Sequence, residues 1–114
     1  MPKATDANQK EIVAALRQLP GVTVADTHEL GRGFPDILVG CSRSRWGTSN
    51  YLIEIKTADG KLNAREALWH DTWRGQVAVA HTIDEALAII GYYGGGYNTD
   101  NDAMRPPSAR AGEW

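Results

Sequence analysis

Cysteine is nearly missing from this chain: Cys41 is the single one among 114 residues. That excludes an internal disulfide framework and a zinc site built from several thiolates, and it fits a reducing compartment. Long apolar runs are missing as well. No stretch approaches the roughly 20 residues needed to span a bilayer, and the opening MPKATDANQK lacks the apolar centre of a signal peptide, so a cytoplasmic protein is expected. Positive charge is not in excess: 12 Lys and Arg stand against 14 Asp and Glu, a net charge of −2. This argues against a protein that coats nucleic acid through a general basic field. No internal repeat is visible.

A chain of this length forms one domain that can bury a core without covalent staples. From Asp6 to Leu19 the residues Ile12, Ala15, Leu16 and Leu19 fall on one helical face and Pro20-Gly21 ends the run, so a first helix is expected with Asp6 as its N-cap. GVTVADT alternates Val22 and Val24 against Thr23, the pattern of a half-buried strand. HELGRGFP reads as a loop, because two glycines and a proline punctuate it. GFPDILVG and NYLIEIKT read as buried strands. A second helix is expected from about Asn63 to Arg74, with Asn63 and Glu66 as a reciprocal capping box. A short strand in QVAVA and a third helix in HTIDEALAIIG follow, the latter with Thr82 and Glu85 as its box and Gly91 as its stop. The order is α-β-β-β-α-β-α. After Gly91 the composition turns to glycine, proline and polar residues without periodicity, so residues 92–114 are expected to form a flexible tail on a domain of residues 1–91.

Three charges stand out because they sit in or beside the most apolar strands. Asp36 opens the first, and Glu54 and Lys56 lie within the second, where an unpaired charge costs several kcal/mol, on the order of its desolvation. Alternation puts Glu54 and Lys56 on one face and Ile53 and Ile55 on the other, toward helices. If the loop Arg43 to Ser49 closes an antiparallel hairpin, Gly40 lies near Tyr51 and Asp36 comes opposite the Glu54 to Lys56 stretch. Two carboxylates and one ammonium then converge. Such a pair of carboxylates suits a hard cation, Mg²⁺ or Mn²⁺, and a neighbouring lysine can orient water or offset charge on a phosphate. The plainer reading is a turn-capping Asp36 and an ordinary same-face ion pair; the Pro-Asp at a strand start, the hairpin and the following helix favour the site. His28, His70 and His81 show no ligand spacing, and Trp69 and Trp73, one helical turn apart, read first as core or interface packing.

Pro35-Asp36 followed by Glu54-Ile55-Lys56 resembles the PD-(D/E)XK nuclease superfamily. The wider pattern GRGFPDILVG, YLIEIKTADGKLNAREALWH and RGQVAVAHTIDEALAIIG is similar to its small VRR-NUC branch, including stand-alone phage and bacterial members. The resemblance covers the chain up to Gly91. It implies a restriction-endonuclease-like mixed sheet flanked by helices, in a bacterial or phage-infected cell. Asp36, Glu54 and the main-chain carbonyl of Ile55 would be metal ligands, Lys56 the catalytic lysine, Glu11 in the first helix a further support to the metal, and Glu66 a supporting residue. Where the family often has a glutamine after that glutamate, this chain has Ala67.

The expected activity is metal-dependent hydrolysis of DNA phosphodiesters, as an endonuclease on structured or branched duplexes. Arg32, Arg43, Arg45, Lys61, Arg65 and Arg74 are the available phosphate contacts, although Arg43 and Arg45 beside Trp46 read equally as a solvated loop tip. A homodimer would place two sites on two strands. The alternative is a nucleic-acid-binding or assembly module that keeps the fold without the chemistry.

Overall fold

Residues two apart on a strand share a face, and in this chain that rule sorts the core from the site. Ile37, Val39 and Cys41 on one strand and Tyr51, Ile53 and Ile55 on the next are all buried. They pack with Ile12, Val13 and Leu16 of the first helix and with Ala86 and Ile90 of the last. Each fully buried aliphatic side chain contributes about 1.5–3 kcal/mol by leaving water, so this one-sided layer holds the domain together. Helices with a matching apolar stripe are all it requires, and Ile12 and Leu16 supply one at i, i+4 spacing.

The computed structural model describes residues 4–93, with side chains from residue 7 onward. Its elements are α1 (Ala4–Arg17), β1 (Val22–Asp26), a 3-10 turn (His28–Leu30), β2 (Ile37–Cys41), β3 (Ser49–Ile55), α2 (Ala64–Thr72), β4 (Val77–Ala80) and α3 (Ile83–Ile90). The fold is α/β: a four-stranded mixed sheet in the order β1-β2-β3-β4, and three helices. β1, β2 and β3 are antiparallel neighbours, while β4 runs parallel to β3 after the α2 crossover. The order of elements is the one the sequence leads one to expect.

Several local expectations need correction. Asp6 does not cap α1, which begins two residues earlier at Ala4. The α2 capping box is complete, with Asn63 and Glu66 bonding each other's main chain, but the helix ends at Thr72 rather than Arg74. At α3 only half of the expected box forms. Thr82 accepts from the Glu85 N–H, whereas the Glu85 carboxylate reaches past Thr82 to His81, bonding its main-chain N–H at 2.8 Å and its ring Nδ1 at 2.9 Å. Gly91 does stop α3, in the left-handed conformation at φ 63°.

The domain also runs beyond Gly91. The Tyr92 hydroxyl donates to the Pro20 carbonyl at 3.1 Å, and Ser44 and Tyr92 form a β-bridge. Tyr93 N–H donates to the Arg43 carbonyl at 3.3 Å. The tail expectation for residues 94–114 falls outside the described residues.

Among the described residues no helix is long and apolar enough to cross a membrane.

Candidate functional site

The β2–β3 ladder pairs Ile37 with Ile53 and Gly40 with Asn50, one residue from the Gly40–Tyr51 alignment expected. One step past Ile37 and Ile53, Asp36 therefore faces Glu54, in a position where facing side chains approach closely. Pro35 has no N–H and cannot continue the ladder. In its place the Asp36 carboxylate accepts the Ile55 N–H at 2.8 Å. In a strand the N–H and C=O of one residue leave the same edge, so the Ile55 carbonyl also points toward Asp36. The proline-aspartate pair thus ends one strand, turns a carboxylate onto the next and leaves a main-chain oxygen beside it.

On the face opposite Ile53 and Ile55, Glu54 is only 3% exposed. The Lys56 ammonium lies 3.5 Å from the Glu54 carboxylate and 2.8 Å from that of Glu66. Glu66 is held in place because its Oε1 also accepts the Asn63 N–H at 2.9 Å, inside the α2 cap. Helix α2 therefore covers this end of the sheet through a capping residue, although no residue of α2 is itself buried. From the other side Asn8 of α1 donates to the main-chain carbonyls of Lys56 at 2.8 Å and His81 at 3.1 Å. That tie fixes the strand end which carries the lysine.

The electrostatics follow from burial and crowding. Burial, then the charge of Asp36 and of Glu66, pushes Glu54 up to about 8. Burial also raises Asp36, against the opposing hydrogen bond from Ile55. Burial works against the Lys56 ammonium, but the hydrogen bond to Glu66 and the charges of Glu54 and Glu66 outweigh it and hold the lysine above its ordinary value. For Glu66 the penalty of burial is overcome by Lys56 and the Asn63 N–H, which lower it. The group is thus one ammonium among three carboxyls, two of which resist ionising together.

Two buried polar atoms nearby have no hydrogen-bond partner: Oε1 of Glu54 and Nε2 of His70. Among the described residues no three Asp, Glu, His or Cys side chains are grouped to hold a metal ion. The available set is two carboxylates, Asp36 and Glu54, with the Ile55 carbonyl.

Not every expected site residue joins this cluster. Glu11 is exposed on α1, and the helix reaches the site through Asn8 instead. Arg43 and Arg45 lie in the β2–β3 connection, at the far end of β2, about 20 Å from Asp36 at roughly 3.3 Å per strand residue. There Arg45 N–H bonds the Gly91 carbonyl. Arg32, Lys61 and Arg65 are exposed at the carboxylate end, in the loop before Asp36, after β3 and in the first turn of α2. Arg74 is exposed just past the other end of α2. Ala67 is exposed too. His28 bonds Asp26, and His81 bonds Glu85 and the Gly60 carbonyl, so neither reaches the carboxylates.

Sequence reasoning missed Asn8, since an asparagine in the second turn of an amphipathic helix carries no signal until the partner strand is known. It also undervalued Glu66, whose capping and lysine-pairing roles are compatible because they use the same oxygen.

Compared with protein-family models, with curated proteins and with solved structures, the chain matches none.

Proposed function

We propose that this protein is a metal-dependent nuclease that hydrolyses DNA phosphodiesters at the Asp36–Glu54–Lys56 cluster, on a restriction-endonuclease-like fold of the PD-(D/E)XK type. The observation that carries this reading is the convergence of two carboxylates and a lysine at the end of a sheet, where the buried Glu54 carboxyl meets Asp36 closely enough to share a proton with it. A buried carboxylate raised to about 8 beside a second carboxylate fits a set that a divalent cation completes. Oxygen-only donors favour Mg²⁺ or Mn²⁺ over zinc, and Mg²⁺ commonly takes one or two carboxylates while keeping water and phosphate as its other ligands. Asp36, Glu54 and the Ile55 carbonyl would hold it. When bound, such an ion lowers the pKa of a water and draws charge from a phosphate.

The remaining roles belong to the chain. Lys56 is held charged, so it offers N–H donors and cannot accept a proton. It orients the attacking water or neutralises the phosphate oxygens as negative charge grows on them. Glu66 and Asn63 keep that ammonium in place. Water adds to phosphorus and the bridging P–O bond breaks, leaving a phosphate monoester and a hydroxyl. Arg32, Lys61 and Arg65 are the nearest phosphate contacts, and a homodimer would bring two sites to the two strands of a duplex. Nicking of supercoiled plasmid in Mn²⁺ tests the reading. Cleavage that stops on chelation and in Asp36→Asn or Glu54→Gln supports it, whereas cleavage unchanged by either substitution shows that the activity lies elsewhere.

A further inference from the structure

Helix α2 leads away from the cluster and, with its C-cap, carries two tryptophans that the core does not use. Trp69 and Trp73 stack with ring centroids 4.7 Å apart and planes inclined by 18°, and Phe34, two residues before Asp36, meets Trp69 edge-on at 5.0 Å. Of the two roles their spacing indicates, core or interface packing, the core is not theirs: Trp69 is half-buried and Trp73 is 44% exposed. The stack is built in. Trp73 closes the helix with its N–H on the Trp69 carbonyl at 3.0 Å. Gly33, at φ 86°, lets the loop that carries Phe34 pass so near α2 that a Cβ there would stand 2.8 Å from the Arg65 carbonyl. The aromatic run therefore has a fixed position relative to Asp36.

Charge says what such a surface takes. Arg32, Arg65 and Arg74 are exposed, and among the described residues none of them has an ion-pair partner; Asp71 is the exposed acid on the same helix. Exposed arginines on the loop and helix that carry an exposed indole favour a polyanion with flat rings over an apolar protein surface or a neutral sugar. From Glu66 to Trp73 the helix covers about 10 Å, or roughly three nucleotide steps.

We infer that the Trp69–Trp73 stack is a platform for unpaired bases, so that the preferred substrate is a duplex carrying a single-stranded extension or flap next to the scissile phosphate. This rests on the nuclease reading for the place of the phosphate, and on the aromatic and cationic surface for the bases. Bases stack on exposed aromatic side chains without regard to sequence, with losses of roughly tenfold or more when one ring is removed.

The test measures binding of the whole protein in Ca²⁺, in place of Mn²⁺, to labelled blunt duplexes and to duplexes with a 3′ or 5′ oligothymidine extension. The wild-type protein is expected to bind one extended duplex at least about tenfold more tightly than the blunt one. Trp73→Ala removes that preference and Trp73→Phe restores most of it. Oligothymidine alone should quench the indole fluorescence of the wild-type protein, a readout that needs no variant to fold. Equal affinity for blunt and extended duplexes, a preference that survives in Trp73→Ala, or the absence of quenching overturns the inference. So does a wild-type dimer that Trp73→Ala converts to monomers, since the face would then be covered by a second copy. Failure of the wild-type protein to cut DNA bears on the nuclease reading alone, because none of these measurements needs turnover.

Discussion

At the scale of single residues, Glu54 carries the sharpest conflict between position and chemistry. It is a carboxyl in the second-last place of a buried strand, 3% exposed, facing another carboxyl. Burial and Asp36 move it from an ordinary value of 4.5 to about 8. Between those values the metal-free folded protein holds a proton that the unfolded chain has released, so stability falls as pH rises through that window and is lowest above it. A divalent cation competes with the same proton. Thermal melts on both sides of the window should show a metal-free melting temperature that declines with pH and a stabilisation by Mn²⁺ that grows with pH, and Glu54→Gln should reduce both, leaving the decline that the raised Asp36, His28 and His81 contribute. A metal-free profile already flat in the wild-type protein would show that Glu54 does not titrate there.

At the scale of elements, α2 joins stability to the site through one cap. Asn63 accepts the Glu66 N–H at 2.8 Å while Glu66 accepts the Asn63 N–H and the Lys56 ammonium. Asn63→Ala should cost about 0.5–2 kcal/mol of stability, as loss of an N-cap does, and denaturant melts check it; a cost indistinguishable from zero would mean that the cap does not hold α2. This helix also marks how far sequence can be read. Its start was legible, because Asn63 and Glu66 act locally. So were the strands, because alternation and β-branched residues act locally, and so was the meeting of Asp36 with Glu54, because a hairpin fixes its own register to within a residue. The end of α2 and the exposure of Trp73 were not legible, since a two-tryptophan spacing looks the same whether a second layer covers it or solvent does. The Glu85 bond to His81 rather than Thr82 was equally hidden: both are main-chain donors within reach of one flexible side chain. Glu11 and Asn8 lie three residues apart on α1, and only the contact of the helix with the end of β3 shows which of them faces it.

At the scale of the whole molecule, the core lies on one side of the sheet and the proposed chemistry at the end of the other. The last described residues close the core side, because Tyr92 bonds Pro20 and bridges Ser44. A chain ended after Gly91 should therefore melt several degrees below one ended after Tyr93, for the loss of about 1–3 kcal/mol in a hydrogen bond and a partly buried ring. Equal melting temperatures would place the domain boundary back at Gly91. Lys56 separates an enzyme from a cation-binding protein, since the carboxylates alone are compatible with a protein that binds a cation and does nothing more. The most direct test is the single-turnover cleavage rate of branched, nicked and plain duplex DNA in Mn²⁺ for the wild-type protein and Lys56→Ala, beside DNA affinity measured in Ca²⁺. The wild-type protein is expected to cut and Lys56→Ala to cut at least about a hundredfold more slowly, while affinity falls far less because one of several phosphate contacts is lost. A folded wild-type protein that binds DNA and cuts none of these substrates, or a Lys56→Ala protein that cuts at the wild-type rate, would contradict the nuclease reading.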